Sequence, residues 1–260
     1  MKNLVEYTTV EVKAIESTDN ERFFWLVLSS PGWEWVPGQF VMVRPQAWEF
    51  DPFLPRPFSI ANMDEEELRI FFQVVGRGTR RLSCLSPGEK VNIWGPLGRG
   101  FLIDYERPLL LIAGGIGLAP FIGIIKNHPR PENVELIFGH RRDIKHYPIS
   151  EISRRILVWC VQDKSHKDLE RLRKAVRVKI EGYSPEGQIF ACGPLPFLRM
   201  IHEICSDQRA PVQVSLERPM ACGIGVCMGC SIRGEGGRTY HVCTQGPVFF
   251  CNELDMDNLV

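Results

Sequence analysis

At 260 residues, 44% of them apolar and 24% charged, the chain is long and apolar enough for two ordinary domains and a small appendage, and too apolar to be disordered. Its 31 basic and 31 acidic residues cancel, so no global field draws it to nucleic acid or to an anionic membrane. Nine cysteines point to metal or redox chemistry ahead of disulfides.

The N-terminal MKNLVEYTTVEVK lacks the apolar core of a secretory leader, and the expected location is the cytoplasm. Residues 1–103 read as β-rich. TTVEVKAIES, FFWLVLSS, FVMVRP, RPFSIAN, LRIFFQVV and KVNIWGP are short runs of Val, Ile, Phe and Trp separated by turn signals, which predicts a small antiparallel barrel or sandwich. Arg56-Pro57-Phe58-Ser59 opens one of these runs; alone it reads first as an ordinary barrel edge. Gly76-Arg77-Gly78-Thr79 follows as an expected flexible loop whose free amides and Arg suit a diphosphate. Gly95-Pro96-Leu97-Gly98 closes the β-rich part.

The texture changes near Asp104. RPLLLIAGG, VELIFGH, RILVWCVQ and GQIFACGP are continuous apolar runs, with helix-compatible FIGIIKNH, KDLERLRKA and PFLRMIHEICS between them. Buried strands alternating with helices predict a parallel α/β domain over residues 104–211. Pro108 to Ile125 holds 18 residues without a charge, near the lower limit of a membrane span, but four glycines and two prolines break it. It is expected to be buried core: a strand, a Gly-rich turn and a helix start. Within it, Gly114, Gly115, Gly117 and Pro120 form a turn where phosphates can approach the backbone and the helix N-terminus favours their charge. The turn departs from G-x-G-x-x-G, because Ala119-Pro120 stands at its sixth position. Cys192-Gly193-Pro194 ends a later strand at the carboxyl edge, where open α/β sheets bind ligands, and is assigned to the nicotinamide side. The basic run Arg171 to Lys179 reads as a solvated helix face.

Residues 212–260 are short, Gly- and Cys-rich, and expected to need a metal to hold them. The spacing Cys222-x4-Cys227-x2-Cys230-x12-Cys243 is the plant-type [2Fe–2S] ligand pattern. Gly223, Gly225 and Gly229 give the loop freedom to turn its amides toward the sulfurs. The competing assignment is structural zinc, which favours two C-x2-C pairs, whereas only one pair is so spaced here. Cys84, Cys160 and Cys205 are expected to be small buried hydrophobes, and Cys251 receives no role.

In this order the motifs resemble the ferredoxin–NADP reductase superfamily. More closely, RPFSI, VGRGT, GPLGRGF, AGGIGLAPF, ACGP and MACGIGVCMGCSIR…HVCTQGPVF resemble the electron-transfer subunits of dihydroorotate dehydrogenase B, end to end. The resemblance implies a multi-domain α+β protein: an FAD-binding barrel, a pyridine-nucleotide domain and a C-terminal [2Fe–2S] domain. It implies that Arg56, Pro57, Phe58 and Ser59, with Gly76, Gly78 and Thr79, hold FAD. It implies that Gly114, Gly115, Gly117 and Pro120, with Cys192, Gly193 and Pro194, hold the pyridine nucleotide. The implied partner is an FMN-containing catalytic subunit that oxidises dihydroorotate, in a heterotetramer of two copies of each. Electrons would pass singly through the cluster to FAD and then as a pair to NAD. No residue is assigned to orotate, so no catalytic residue is expected and the chain alone should ignore dihydroorotate. Gln245 replaces the acid of the family's terminal C-x-[DE]-G-P-V-F.

Asp163 after VWCVQ would repel a 2′-phosphate and favours NAD, while Arg141 and Arg142 argue toward NADP. Two other functions remain open: an NAD(P)H-dependent reductase subunit serving a ferredoxin, sulfur-reducing or hydrogenase-type partner, and a zinc or redox-sensing module without flavin.

Overall fold

A computed structural model describes residues 5–18, 22–183 and 186–259. The first four residues of the segment judged against a secretory leader therefore lie outside the described residues.

Seven antiparallel strands form the first unit: β1 (Glu6–Ser17), β2 (Phe23–Ser29), β3 (Phe40–Pro45), β4 (Arg56–Ser59), β5 (Asn62–Met63), β6 (Glu67–Gln73) and β7 (Lys90–Leu97). They pair in the order β4-β3-β7-β1-β2-β6-β5. The twelve-residue β1 serves two neighbours: residues 6–11 pair with β7 and residues 12–17 with β2, across an irregularity at Val12/Ala14. Irregular pairing of this kind increases local twist and lets one strand turn a barrel corner. The sheet curls until Phe58 of β4 packs on Phe72 of β6, ring centroids 5.6 Å apart. Val12, Leu26, Val41, Ile70 and Ile93 fill the interior. Each of the six expected β runs holds strand, with RPFSIAN divided between β4 and the start of β5.

The expected flexible loop at Gly76 is instead the start of a short helix, α1 (Arg77–Leu82). The Thr79 hydroxyl accepts the Val75 and Gly76 amides at 2.9 and 3.1 Å, so two of the amides expected to be free are already satisfied.

The second sheet contains β8 (Leu109–Gly114), β9 (Val134–His140), β10 (Leu157–Gln162), β11 (Gln188–Cys192) and β12 (Val212–Ser215), all parallel, and an antiparallel edge strand at Val248–Phe250. The order is β10-β9-β8-β11-β12 followed by that edge strand. Helices α2 (Ala119–Asn127), α3 (Ile149–Ile152), α4 (His166–Tyr183) and α5 (Leu195–Gln208) connect the strands. Every residue of β8 is buried, as a central strand covered on both faces must be. Pro108 to Ile125 thus divides into β8, a 3-10 turn at Gly115–Leu118 and α2. Among the described residues, no helix is long and apolar enough to cross a membrane. The basic run lies on α4, where Arg173 and Arg177 meet Glu203 and Asp207 of α5 at 2.7 and 2.9 Å and Lys179 meets Glu135.

Two features differ from expectation. Val212, where the cluster segment was expected to begin, opens a strand of the second sheet, and Val248–Phe250 closes the same sheet. The Cys-rich segment between them therefore leaves and re-enters that sheet. It holds a hairpin of β13 (Ser231–Arg233) and β14 (Thr239–His241), then α6 (Val242–Gln245) ahead of the edge strand, β15. Secondly, Cys205 is buried as expected, but Cys84 and Cys160 are exposed. Cys160 sits on β10, the sheet's outer strand, where Leu157 and Trp159 also reach solvent. Cys84 follows α1 at the surface.

Candidate functional site

Strand order reverses between β8 and β11, because β9 and β10 lie to one side of β8 while β11 and β12 lie to the other. The connections from their carboxyl ends diverge there and leave a crevice. Gly114, Gly115, Gly117 and Pro120 leave β8 on one side of it, and Cys192, Gly193 and Pro194 leave β11 on the other. The two turns touch. A Cβ on Gly117 would stand 2.4 Å from the Cys192 carbonyl oxygen, and one on Gly193 would stand 3.1 Å from the Gly114 Cα. Gly115 adopts φ +55 at the tip. Only glycines let these turns close together and keep their backbone open to a ligand. The Cys192 thiol itself is buried, and desolvation pushes its pKa up, so it packs as a neutral group and offers no thiolate.

Arg56, Pro57, Phe58 and Ser59 lie on the barrel wall facing this crevice. The Arg56 guanidinium donates to the Leu54 and Pro55 carbonyls at 2.8 and 3.1 Å and stacks 5.9 Å from Trp48. It lies so close to Gly78 that a Cβ there would meet its Nε at 2.6 Å. Thr79 is buried under the same wall, while Gly76 is exposed at the start of α1. The Arg56 motif and the Gly76–Thr79 segment, far apart in sequence, are thus one surface.

Together these walls bound a cleft of about 450 Å³. Ser59 and Thr79 line it from the barrel, Ile116 and Ala119 from the nucleotide turn, and Arg218 and Met220 from the approach to the cysteines. Arg218 Nε is buried there with no hydrogen-bond partner. An orphaned guanidinium nitrogen at such a depth is costly unless a ligand supplies an acceptor. Glu217 also lines the cleft; its side chain stays exposed to solvent, and the protein around its carboxyl raises its pKa. Apolar walls with a few polar groups and an unsatisfied donor fit a flavin nucleotide.

The cysteine loop rests against the barrel. The Trp94 indole N–H donates to the Cys222 carbonyl at 2.9 Å, and Gly223, at φ +72, sits where a Cβ would strike Met42 at 2.6 Å. Gly229, by contrast, has ordinary space around it, so its lack of a side chain is not needed for fit. The thiols stand as two pairs. The Cys227 amide donates to Cys222 Sγ at 3.4 Å, and the Cys243 amide to Cys230 Sγ at 3.4 Å. Burial works against the Cys222 thiolate, but the amides of Cys227, Ile224 and Val226 outweigh it and bring its pKa down to about 7. Burial beside Cys230 pushes Cys243 up to about 12. Among the described residues, no three His, Cys, Asp or Glu side chains surround a single ion-sized site. Two pairs of thiols with amides turned to sulfur suit a two-iron cluster, in which each iron takes two thiolates. Gln245 accepts the His241 amide at 2.8 Å, a role that an amide oxygen fills as well as the carboxylate it replaces.

Residues 217–255 match the family described as the iron–sulfur cluster binding domain of dihydroorotate dehydrogenase B. The dihydroorotate dehydrogenase B (NAD(+)) electron transfer subunit of Clostridium acetobutylicum is 34% identical over 227 residues, covering 85% of this chain and 87% of that protein. Its counterpart in Caldanaerobacter subterraneus is 34% identical over 222 residues, covering 84% and 86%. The chain belongs to the dihydroorotate dehydrogenase B electron transfer subunit family. In fold, this family member resembles a chain of the NADH-dependent reduced ferredoxin–NADP oxidoreductase, with a TM-score of 0.81 at 24% identity over 100% of this chain and 93% of that one.

Motif reading found the two glycine turns, the barrel wall and the four cysteines. It missed Trp94, Glu217, Arg218 and Tyr147, a tyrosine between β9 and α3, which reach these sites through tertiary packing. The one available hint was Glu217-Arg218, two charges immediately before the cysteine loop.

Proposed function

We propose that this chain carries electrons from an FMN-containing catalytic subunit, which oxidises dihydroorotate to orotate, onward to NAD⁺. When bound, the [2Fe–2S] cluster supplies one-electron transfer, and FAD links single electrons to the pair that nicotinamide accepts. Cys222, Cys227, Cys230 and Cys243 would hold the cluster. Arg56, Pro57, Phe58, Ser59, Gly76, Gly78 and Thr79 would hold FAD. The turns at Gly114–Pro120 and Cys192–Pro194 would hold NAD. The three modules divide as residues 1–103, 104–211 and 212–260, with the last anchored at both ends in the nucleotide sheet. The complex would be a cytoplasmic heterotetramer of two copies of each subunit.

The supporting observation is that one cleft is bounded by Ser59 of the barrel, Ile116 of the nucleotide turn and Met220 two residues before Cys222. Electron transfer needs short separations, and this wall arrangement gives all three modules a common face. The chain's own residues orient and insulate. Phe58 and Phe72 exclude water from the barrel side, Arg218 offers a donor within the cleft, and the Trp94 indole holds the cluster loop to the barrel.

The deciding experiment is co-expression with a candidate FMN subunit, followed by assay of dihydroorotate-dependent NAD⁺ reduction. Activity in the complex and in neither subunit alone is expected. A complex that passes electrons from NADH to dyes but ignores dihydroorotate would overturn the assignment in favour of a reductase serving another partner.

A further inference from the structure

Tyr147 is 5% exposed, yet its hydroxyl has no hydrogen-bond partner among the described residues. The ring is fixed from both domains. It lies 4.8 Å from Phe23 and 6.5 Å from Phe71 of the barrel, and 4.8 Å from Phe138 and 6.2 Å from His140 of β9. Such packing leaves the side chain one orientation, and that orientation directs the oxygen at the nucleotide turn. It stands 3.8 Å from where a Cβ would be on Gly115, nearer than any other atom outside the adjoining residues. A tyrosine whose body is buried normally satisfies its hydroxyl. Here the ring is buried but the oxygen keeps access to solvent, so the phenol stands at the tip of the glycine turn with its donor open to a ligand.

A second group points the same way. Of the two arginines that end β9, Arg141 is committed to Asp163 at 3.0 Å, whereas the exposed Arg142 makes no ion pair among the described residues. Arg142 is close enough to Tyr147 to act on it electrostatically. Burial raises the phenol to about 12, with Arg142 opposing, so the oxygen carries its proton throughout the working range and can only donate to an anion. A neutral donor, an uncommitted cation and an open glycine backbone together make a site for a diphosphate.

We propose that the Tyr147 hydroxyl donates a hydrogen bond to a diphosphate oxygen of the dinucleotide seated on the Gly115 turn, with Arg142 as the accompanying cation. The proposal rests on the reading of Gly114 to Pro120 as the dinucleotide turn. Tyr147 is then a binding residue supplied by the β9–α3 connection and braced by the barrel, so the barrel's Phe23 and Phe71 indirectly shape the nucleotide site.

The test uses the flavin- and cluster-loaded chain, with NAD⁺ and ADP-ribose as probes in calorimetric titrations. Tyr147→Phe keeps the ring and removes only the donor. Loss of one hydrogen bond to a charged oxygen is expected to weaken both probes about tenfold or more, with the thermal midpoint and the flavin and cluster spectra unchanged. ADP-ribose lacks nicotinamide, so an equal loss for both probes places the contact on the diphosphate half. Wild-type affinity for ADP-ribose in Tyr147→Phe would overturn the proposal. Gly117→Ala separates this failure from failure of the turn assignment, because its Cβ would displace the turn from Cys192. If Gly117→Ala weakens binding and Tyr147→Phe does not, only the phenol's role falls; if both bind as wild type, the turn assignment falls with it.

Discussion

The Trp94 indole N–H donates to the Cys222 carbonyl at 2.9 Å, joining the last barrel strand to the first cysteine of the cluster loop across 128 positions of sequence. Trp94 also stacks on Tyr7, 6.1 Å between centroids, so its ring is braced before it reaches the loop. Trp94→Phe keeps most of the packing and removes the donor, which costs about 1 kcal/mol. The expected outcome is faster loss of cluster absorbance under a chelator, with the flavin spectrum unchanged. Equal rates of cluster loss in the two proteins would show that the loop is held by other contacts.

Thr79 tests the flavin side. Its hydroxyl accepts from Val75 and Gly76 and donates to the Gly76 carbonyl at 3.1 Å, which holds the start of α1 against Arg56. Thr79→Val has nearly the same shape but strands two amides, at about 1–3 kcal/mol for each one kept from water. FAD retention after exhaustive dialysis should fall, while iron content stays that of the wild type. Full retention would remove Thr79 from the flavin-holding surface.

The degree to which this architecture was legible follows from how local each signal is. β8 is a continuous apolar run because it is buried on both faces, and the four cysteines are spaced by the geometry of one loop; both are visible without tertiary information. Cys160 was misread because RILVWCVQ has the same apolar texture as a central strand, and only the sheet order makes it the outer one. The four residues of β12 are too few to stand out as a run, so the pairing of the cluster segment's first residues into the nucleotide sheet is not visible in the sequence. The Gly76–Thr79 helix was masked by its two glycines, which signal a loop unless the Thr79 hydroxyl is known to turn back onto the amides. Tyr147 and Arg218 have no motif at all; each acquires meaning from the side chain or cleft it faces.

The Arg141–Asp163 pair bears on the choice of nucleotide. In the sequence the acid argues for NAD and the arginine for NADP; in the structure the two are bonded to each other at 3.0 Å. Asp163 thus engages the cation that a 2′-phosphate seated at the end of β9 would need, and would add its own repulsion there. Asp163→Ala should free Arg141 and shift the preference between NAD⁺ and NADP⁺ toward NADP⁺ by about tenfold, a change of one close charge pair. The ratio of kcat/KM for the two nucleotides measures it. An unchanged ratio would place the 2′-position elsewhere.

Cys251 lies eight residues beyond Cys243 and is a natural suspect for an alternative ligand. The structure buries it, together with Cys205 of α5, in the apolar core under the second sheet. Cys251→Ala should therefore leave iron and sulfide content at the wild-type ratio, whereas Cys227→Ser should lower both. Loss of iron from Cys251→Ala, with the thermal midpoint unchanged, would make Cys251 a ligand.

His128 at the end of α2 gives the fold a pH dependence of predictable sign. It is buried, desolvation lowers its pKa from the ordinary 6.5, and Nε2 has no partner. Its Nδ1 accepts the Arg130 amide at 3.1 Å, a bond that needs the neutral ring. Because the folded pKa lies below the unfolded one, the unfolded chain binds the extra proton first. Stability from the neutral ring is therefore complete above pH 6.5 and is lost as pH falls from there through the folded value. His128→Asn preserves an acceptor for the Arg130 amide but cannot titrate. The wild-type thermal midpoint should drop more steeply than that of His128→Asn as pH is lowered through this window. Parallel curves would assign the acid sensitivity to other groups.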